Sequence, residues 1–224
     1  MFFKKKNLLQ IAIDGTAGSG KSTVSKEIAK HYKIGYLSTG AIFRCFALAI
    51  QKESKFDYLD PKLTKKIIKK THLKFIDGQF YLNGKDVSKE ICQESIGQIA
   101  SVISQQLFVR KRYEKITRKI IRNKSFVIEG RDIGTVILPK VKYKFYLDAS
   151  FHVRAKRRVL QLKKWNLPFN VSQQSIARNL KIRDDSDKHR KLAALAVAKD
   201  AVVINTDNKK INETVSLIID KISN

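Results

Sequence analysis

The chain has 224 residues, 46 Lys and Arg against 20 Asp and Glu, and a formal net charge of +26. With 43% hydrophobic residues, 3 Pro and 10 Gly it is neither disordered nor collagen-like. Its length suits one or two domains and buries roughly 70% of the surface that the unfolded chain exposes, so the core needs no staples. Cys45 and Cys92 lie far apart and match no C-x-x-C pattern. That excludes a disulfide framework and a zinc ribbon, and suits a reducing cytoplasm.

In chain order, Met1-Phe2-Phe3-Lys4-Lys5-Lys6 opens like a signal peptide, but the apolar stretch after it runs only from Leu8 to Ile13. It is broken by Gln10, stops at Asp14, and no small-residue cleavage site follows. No run approaches 18 apolar residues, so no membrane partner is expected. Leu8 to Asp14 reads as a buried strand. Gly20 to Lys33 reads as a helix, with Val24, Ile28 and Tyr32 four apart on one face. Gly35 to Leu37 is a short strand and Ala41 to Glu53 a second helix.

Residues 60–105 break this alternation. Asp60-Pro61 reads as an N-cap followed by Pro at the first helical position. Asp77-Gly78 and Asn83-Gly84 are hairpin turn signals within Leu73 to Val87, which predicts a small antiparallel meander. A long helix is predicted at about Phe108 to Arg122. Ser125 to Glu129 and Tyr143 to Asp148 are the third and fourth strands of the alternating pattern. Phe151 to Trp165 and Ser172 to about Asp187 are helices rich in Arg and Lys. Ala201 to Asn205 is the fifth strand. Ile211 to Ile222 closes the chain as a helix with Ile211, Val215, Ile218, Ile219 and Ile222 on one stripe. Alternating strand and helix predict an α/β fold: a mostly parallel five-stranded sheet with helices on both faces.

One motif decides the chemistry. Gly15-Thr16-Ala17-Gly18-Ser19-Gly20-Lys21-Ser22 fits G-x-x-x-x-G-K-[ST], with an apolar strand before it and an amphipathic helix after it. Glycines let backbone N–H groups curl around an anion, and the helix N-terminus adds its dipole to the same point. Lys21 would bridge the β- and γ-phosphates of a nucleoside triphosphate, and Ser22 would ligate Mg²⁺. The motif names a P-loop, not a reaction. A GTPase needs N-K-x-D on a later strand, and the chain has none. The third strand ends Val127-Ile128-Glu129-Gly130-Arg131-Asp132. Glu129 would hold a Mg²⁺-bound water and Arg131 an acceptor phosphate, as a small phosphotransferase requires.

Arginines support this. Arg44 lies on the second helix, Arg154, Arg157 and Arg158 share one and a half turns, and Arg183 and Arg190 flank Asp184, Asp185 and Asp187. Guanidinium binds phosphate through a planar fork and stays charged when partly buried. The clusters fall at the C-terminal ends of strands, where ligands bind in open α/β sheets. The lysines, by contrast, are scattered along the chain, so the +26 charge says little about partners, and no specific nucleic acid is expected. Adenylate, uridylate and shikimate kinases remain alternatives, as does a basic nucleic-acid-binding protein regulated through its P-loop.

With these residues in hand, the sequence resembles the bacterial cytidylate kinases, a branch of the nucleoside monophosphate kinases, over nearly the whole chain from Ile11. The resemblance rests on residues 13–23, on Thr39-Gly40-Ala41-Ile42-Phe43-Arg44, on Glu129-Gly130-Arg131-Asp132-Ile133-Gly134-Thr135-Val136, and on Arg183-Asp184-Asp185-Ser186-Asp187 followed by Arg190. It implies phosphorylation of CMP and dCMP by ATP with Mg²⁺, in a cytoplasmic monomer. It implies a core of residues 1–59, 106–150 and 190–224, an inserted monophosphate-binding domain at 60–105, and a helical lid at 151–189. Residues 15–23, through Thr23, would bind ATP. Ser101, Arg110, Asp132 and Arg190 match positions that contact the cytosine base, Arg44 and Arg131 those holding the acceptor phosphate, and Arg183 and Asp187 those near the sugar. Lys21, Arg131 and the lid residues Arg154, Arg157 and Arg158 would share the charge on the transferring group. The chain departs from the family pattern at Ser38 (usually acidic), Phe43 (usually Tyr), Ala194 (commonly Pro) and Asn205 (commonly Asp).

Overall fold

The computed structural model describes residues 8–53, 57–164 and 173–224. The opening Met1–Lys6, and the expected helix ends at Trp165 and Ser172, lie outside the described residues. Five strands form a parallel sheet: β1 (Gln10–Gly15), β2 (Gly35–Ser38), β6 (Phe126–Gly130), β7 (Tyr143–Asp148) and β8 (Val202–Asn205). Their spatial order is β2-β6-β1-β7-β8, so β1, buried at every position but its first, is central. Its register brings Asp14 opposite Gly130 and Tyr146, which levels the C-terminal ends of three strands along one edge.

Alternation along the strands divides the core. Ile11, Ile13, Val127, Phe145 and Leu147 pack against α1 (Lys21–His31) and α8 (Ile211–Ser223). Ala12, Leu37, Phe126 and Ile128 face α2 (Thr39–Gln51) and α5 (Leu107–Ile121). Strands buried on both faces read as continuous apolar runs, which is why the sequence shows them so clearly.

Between α2 and α5 the chain leaves the sheet. α3 (Pro61–Lys70) starts where expected: Asp60 accepts from the N–H groups of Lys62 at 2.7 Å and Leu63 at 3.4 Å, with Pro61 at the first position. β3 (Leu73–Ile76), β4 (Gln79–Leu82) and β5 (Lys85–Asp86) form the expected antiparallel meander, turning at Asp77-Gly78 and Asn83-Gly84, all four with positive φ. α4 (Glu94–Ile103) follows; the sequence reading passes over it, although Ile96, Ala100 and Ile103 lie on one buried face. Ile68, Phe80, Leu82, Ile91 and Ile96 share one apolar cluster with α2 and α5, so the inserted segment has no separate core. After β7 come α6 (Phe151–Lys164) and α7 (Gln173–His189). These pack on each other through Ala155, Ile176 and Leu180, and rest on Ala17. No helix of the described residues is long and apolar enough to cross a membrane.

Candidate active site

The loop between β1 and α1 is a turn that side chains would block. Gly15 has φ +146, and a Cβ there would fall 2.0 Å from the Leu147 carbonyl oxygen of the neighbouring strand. Gly20 (φ +93) starts α1 in the left-handed region. Hydroxyls lock the rest: Thr16 donates to Asp148 at 3.1 Å, Ser19 to the Thr16 carbonyl at 3.0 Å, and Thr206 to the Ser19 carbonyl at 3.1 Å. Lys21 is buried, its Nζ donating to the Thr16 carbonyl at 2.5 Å and to Ser19 Oγ at 3.4 Å. Burial, then the nearby Arg131, pulls its pKa down to about 7, against the opposing pull of Glu129 and Asp14. A lysine so disfavoured as a cation gains most when an anion arrives.

Beside the loop, Glu129 at the end of β6 is buried and gathers hydroxyl donors: Ser22 at 3.0 Å, Tyr36 at 3.5 Å, and Ser38 in a shorter contact. This oxygen-only set suits a hard divalent cation that takes one or two protein oxygens and completes its shell with phosphates and water. Burial, then the Glu129 charge, pushes the Tyr36 phenol far up, so it stays a donor. Asp14 accepts from the N–H groups of Ile133 at 2.9 Å and Gly134 at 2.7 Å. It thereby caps a single wide helical turn, Ile133–Ile137, directly after β6. Burial outweighs those bonds and raises its pKa to about 6.

The arginines come from separate elements and converge. Arg131, after β6, donates to Asp187 at 2.9 Å. Arg190 reaches the same carboxylate at 3.3 Å and the Ala193 carbonyl at 2.7 Å. Burial alone would raise Asp187, but Arg131, Arg183 and Arg190 hold it below the usual carboxylate range. Arg44 on α2 donates to the carbonyls of Ile91 and Gln93 at 2.7 and 2.9 Å. Burial, then Arg183 and Arg158, lowers its pKa to about 10. Arg183 is itself lowered by burial and then by Arg131. Lys21, Arg131, Arg183, Arg44 and Arg158 therefore occupy one cationic field.

The three arginines of α6 divide. Arg154 is buried against the loop, donating to the Ala17 carbonyl at 3.1 Å and pairing with Asp184, whose other oxygen accepts from the Ala17 N–H at 3.3 Å. Arg157 binds the hydroxyl and carbonyl of Thr206 at 2.9 and 2.6 Å, one step from the loop. Arg158 pairs with Glu94 across to α4, and Gln105 reaches Ser186 at 3.1 Å. The inserted segment and the α6–α7 pair thus touch each other over the site.

Deeper in, Arg110 and Asp132 form a buried ion pair. Tyr113 donates to Asp132 at 3.2 Å, and Phe43 stacks on Tyr113 with ring centroids 4.3 Å apart. The Arg110 guanidinium lies within 6 Å of both rings, at 5.7 and 5.6 Å. Burial raises the Asp132 pKa against the pull of Arg110. Ser101 is half-buried on α4; its carbonyl accepts from Ser104, whose own carbonyl accepts from Arg110. Thr23 is exposed on α1. The structure adds residues to which the sequence assigned no role in the site: Asp14 and Asp184, which lie inside the motifs, and Tyr36, Glu94, Asp148 and Thr206, which lie outside them. Asp14, Asp148 and Thr206 sit at or just past strand ends, the one signal that marks them.

With this geometry in place, the sequence profile of the family described as cytidylate kinase matches residues 11–224. The chain belongs to the cytidylate kinase family. It is 44% identical over 207 residues to the "Cytidylate kinase" of Pseudothermotoga lettingae, covering 92% of this chain and 91% of that one. It is 42% identical to that of Fervidobacterium nodosum, covering 94% of each, and 37% identical to that of Caldanaerobacter subterraneus, covering 96% and 94%. In fold it is similar to an uncharacterised protein from Eubacterium ventriosum (TM-score 0.52, 16% identity, 97% and 99% covered). A shikimate kinase from Bacteroides thetaiotaomicron gives a TM-score of 0.50 at 11% identity, with 96% and 99% covered. Cytidylate kinase membership thus rests on sequence, and these two structures speak for the α/β fold alone.

Proposed function

We propose that this member of the cytidylate kinase family transfers the γ-phosphoryl group of ATP to CMP and dCMP in a single in-line step. The observation that carries this reading is the convergence of Lys21, Arg131, Arg183 and Arg44 beside the glycine loop: beyond burial, Arg131, itself held charged by Asp187 and Glu129, lowers both Lys21 and Arg183, and Arg183 lowers Arg44. Such a cluster suits two phosphate chains brought end to end.

An oxygen of the acceptor phosphate bonds to the γ-phosphorus as the bond to the β–γ bridging oxygen breaks, and ADP leaves with that electron pair. The attacking oxygen is already anionic, so no general base is needed. What the protein supplies is alignment and charge compensation. Residues 15–23 cradle the triphosphate, with Lys21 at its β- and γ-phosphates. Mg²⁺, held by Ser22 Oγ and by Glu129 through a bound water, would neutralise phosphate charge when bound. Arg44 and Arg131 hold the acceptor phosphate, and Arg183 and Asp187 the sugar. Arg154, Arg157 and Arg158 steady the loop and share the charge on the transferring group. Residues 60–105 and 151–189 act as acceptor domain and lid, closing over the core to expel water that would otherwise take the phosphoryl group.

Base choice lies with Asp132, Arg110, Ser101 and Arg190. The Asp132 carboxylate accepts from the exocyclic amine of cytosine, and Arg110 donates to the ring acceptors. UMP presents an acceptor to a carboxylate, leaving buried groups unpaired. We also assign the enzyme to the cytoplasm, in keeping with its two free thiols, and to a monomeric state, as the family resemblance implies. An ADP-release assay with CMP, dCMP, UMP, AMP, GMP and shikimate tests the assignment. Turnover led by CMP and dCMP supports it; turnover led by any other acceptor overturns it.

A further inference from the structure

We propose that the cleft between the inserted meander and the core binds a short single strand of nucleic acid. The cleft, about 1070 Å³, opens between β3 of the meander, β2 of the main sheet and α5. Both strands are the edges of their sheets. Of its lining residues only Tyr36 also reaches the site around the loop, where its hydroxyl donates to Glu129.

The sequence shows lysines spread along the chain, but folding gathers cations here. α5 buries Val109, Arg110, Tyr113, Thr117 and Ile121 in the core. Its other face turns Arg112, Lys115 and Lys119 into the cleft, with Lys124 just beyond the helix and Lys74 on the opposite wall. Asp77 is the one carboxylate among the lining residues. Arg112 to Lys119 spans about 10 Å at 1.5 Å per residue. Such a row, continued by Lys124, tracks successive phosphates better than one phosphate group.

Two further observations point to this chemistry. Arg112 lines the cleft, and its Nε is buried and meets no hydrogen-bond acceptor among the described residues, so the protein leaves this guanidinium incompletely satisfied. Between the cations lie the partly exposed Ile116, Ile120 and the ring of Phe75, backed by the buried Phe126, an apolar floor for bases. A basic track beside aromatic and apolar surface is how proteins hold single strands without reading sequence.

The test is fluorescence anisotropy of a labelled 12-nucleotide oligo-U with the full-length protein, in saturating ADP and CMP, over a range of salt. Lys115→Ala/Lys119→Ala is compared with Lys66→Ala/Lys69→Ala, which removes the same charge from exposed positions of α3. Each single-strand phosphate contact contributes about 0.7 to the slope of log affinity against log salt. The cleft variant should therefore weaken binding about tenfold near physiological salt and flatten the slope by about 1.4. The α3 variant should change affinity less than twofold, and both should turn over CMP as the parent does. Lys74→Ala, on the other wall, should cost about fourfold. Equal losses in cleft and α3 variants would reduce the binding to bulk charge and overturn the proposal. So would competition by UTP as strong as by the 12-mer at equal phosphate, or clearly tighter binding of the 12-mer once ADP and CMP are left out.

Discussion

The loop at residues 15–22 and the arginines facing it carry the same sign of charge, yet they are held in opposite ways. The loop is one stretch of chain, shaped by glycine backbone, with Lys21 anchored on Thr16 and with Asp148, Arg154, Asp184 and Thr206 fastening its backbone and the Thr16 hydroxyl from outside. The arginines arrive from α2, the end of β6, α6 and α7, and are aimed by carboxylates and carbonyls of still other segments: Asp187 for Arg131, Ile91 and Gln93 for Arg44, Glu94 for Arg158. A cradle of backbone is hard to retune by single substitutions. A fan of paired guanidiniums changes whenever one carboxylate does. Donor and acceptor sides should therefore fail differently.

The largest effect is expected at the loop. Lys21→Ala should lower kcat at least about a thousandfold, since it removes the charge nearest the transferring group. The fold should survive, because the lysine is buried at a cost to its charged form. Steady-state turnover with CMP, read beside thermal melting, checks both halves. Turnover within tenfold of the parent would break the asymmetry between loop and fan.

On the acceptor side the expected effect is selective rather than total. The parent should prefer CMP over UMP by about 1–3 kcal/mol in kcat/KM, the cost of leaving a buried group unpaired. Asp132→Asn should erase most of that preference while kcat/KM for ATP holds within a few-fold. Equal specificity constants for CMP and UMP in the parent would remove Asp132 and Arg110 from the base pocket.

This contrast also explains what the sequence discloses. The loop was legible because its geometry is local: eight consecutive residues, a strand before, a helix after. The core strands and the two turns of the meander were legible for the same reason, through unbroken apolar runs and Asn-Gly or Asp-Gly pairs. The wide turn at Ile133–Ile137 was not, because the Asp14 carboxylate that caps it lies 119 residues earlier in the chain. The pairing of Arg154 with Asp184, and of Arg158 with Glu94, was hidden likewise: each joins elements that periodicity cannot bring together. The cleft beside α5 was the most hidden, because its lysines come from two walls.

A pH titration sharpens the comparison next. With its pKa near 7, Lys21 is charged below that pH and increasingly neutral above it. A polyphosphate favours the charged form, so binding ATP at pH 8 should draw in close to one proton. Affinity should fall by up to about tenfold per pH unit above 7. Calorimetry of ATP binding in two buffers of different ionisation enthalpy measures the uptake; no uptake at pH 8 would contradict the position assigned to Lys21. Folding stability carries the opposite sign. Between about 7 and the ordinary lysine value of 10.5 the unfolded chain binds the extra proton, so this residue's contribution to stability rises with pH.

The smallest effect is expected where the inserted segment meets α6. Glu94 on α4 aims Arg158 of α6, but its side chain is 37% exposed, so solvent screens the pair. Pairs of that kind are worth about 0.2–1 kcal/mol. Glu94→Gln should therefore raise the KM for CMP by no more than about fivefold, the upper end of that range, if the inserted segment carries the acceptor as we propose. The KM for ATP should scarcely move, since the loop is tied instead by Arg154 and Asp184. Steady-state kinetics with each substrate varied in turn separates the two. Were both KM values to rise together, Arg158 would be serving the donor side as well, and the division between a backbone cradle and a retunable fan of arginines would not hold at this contact.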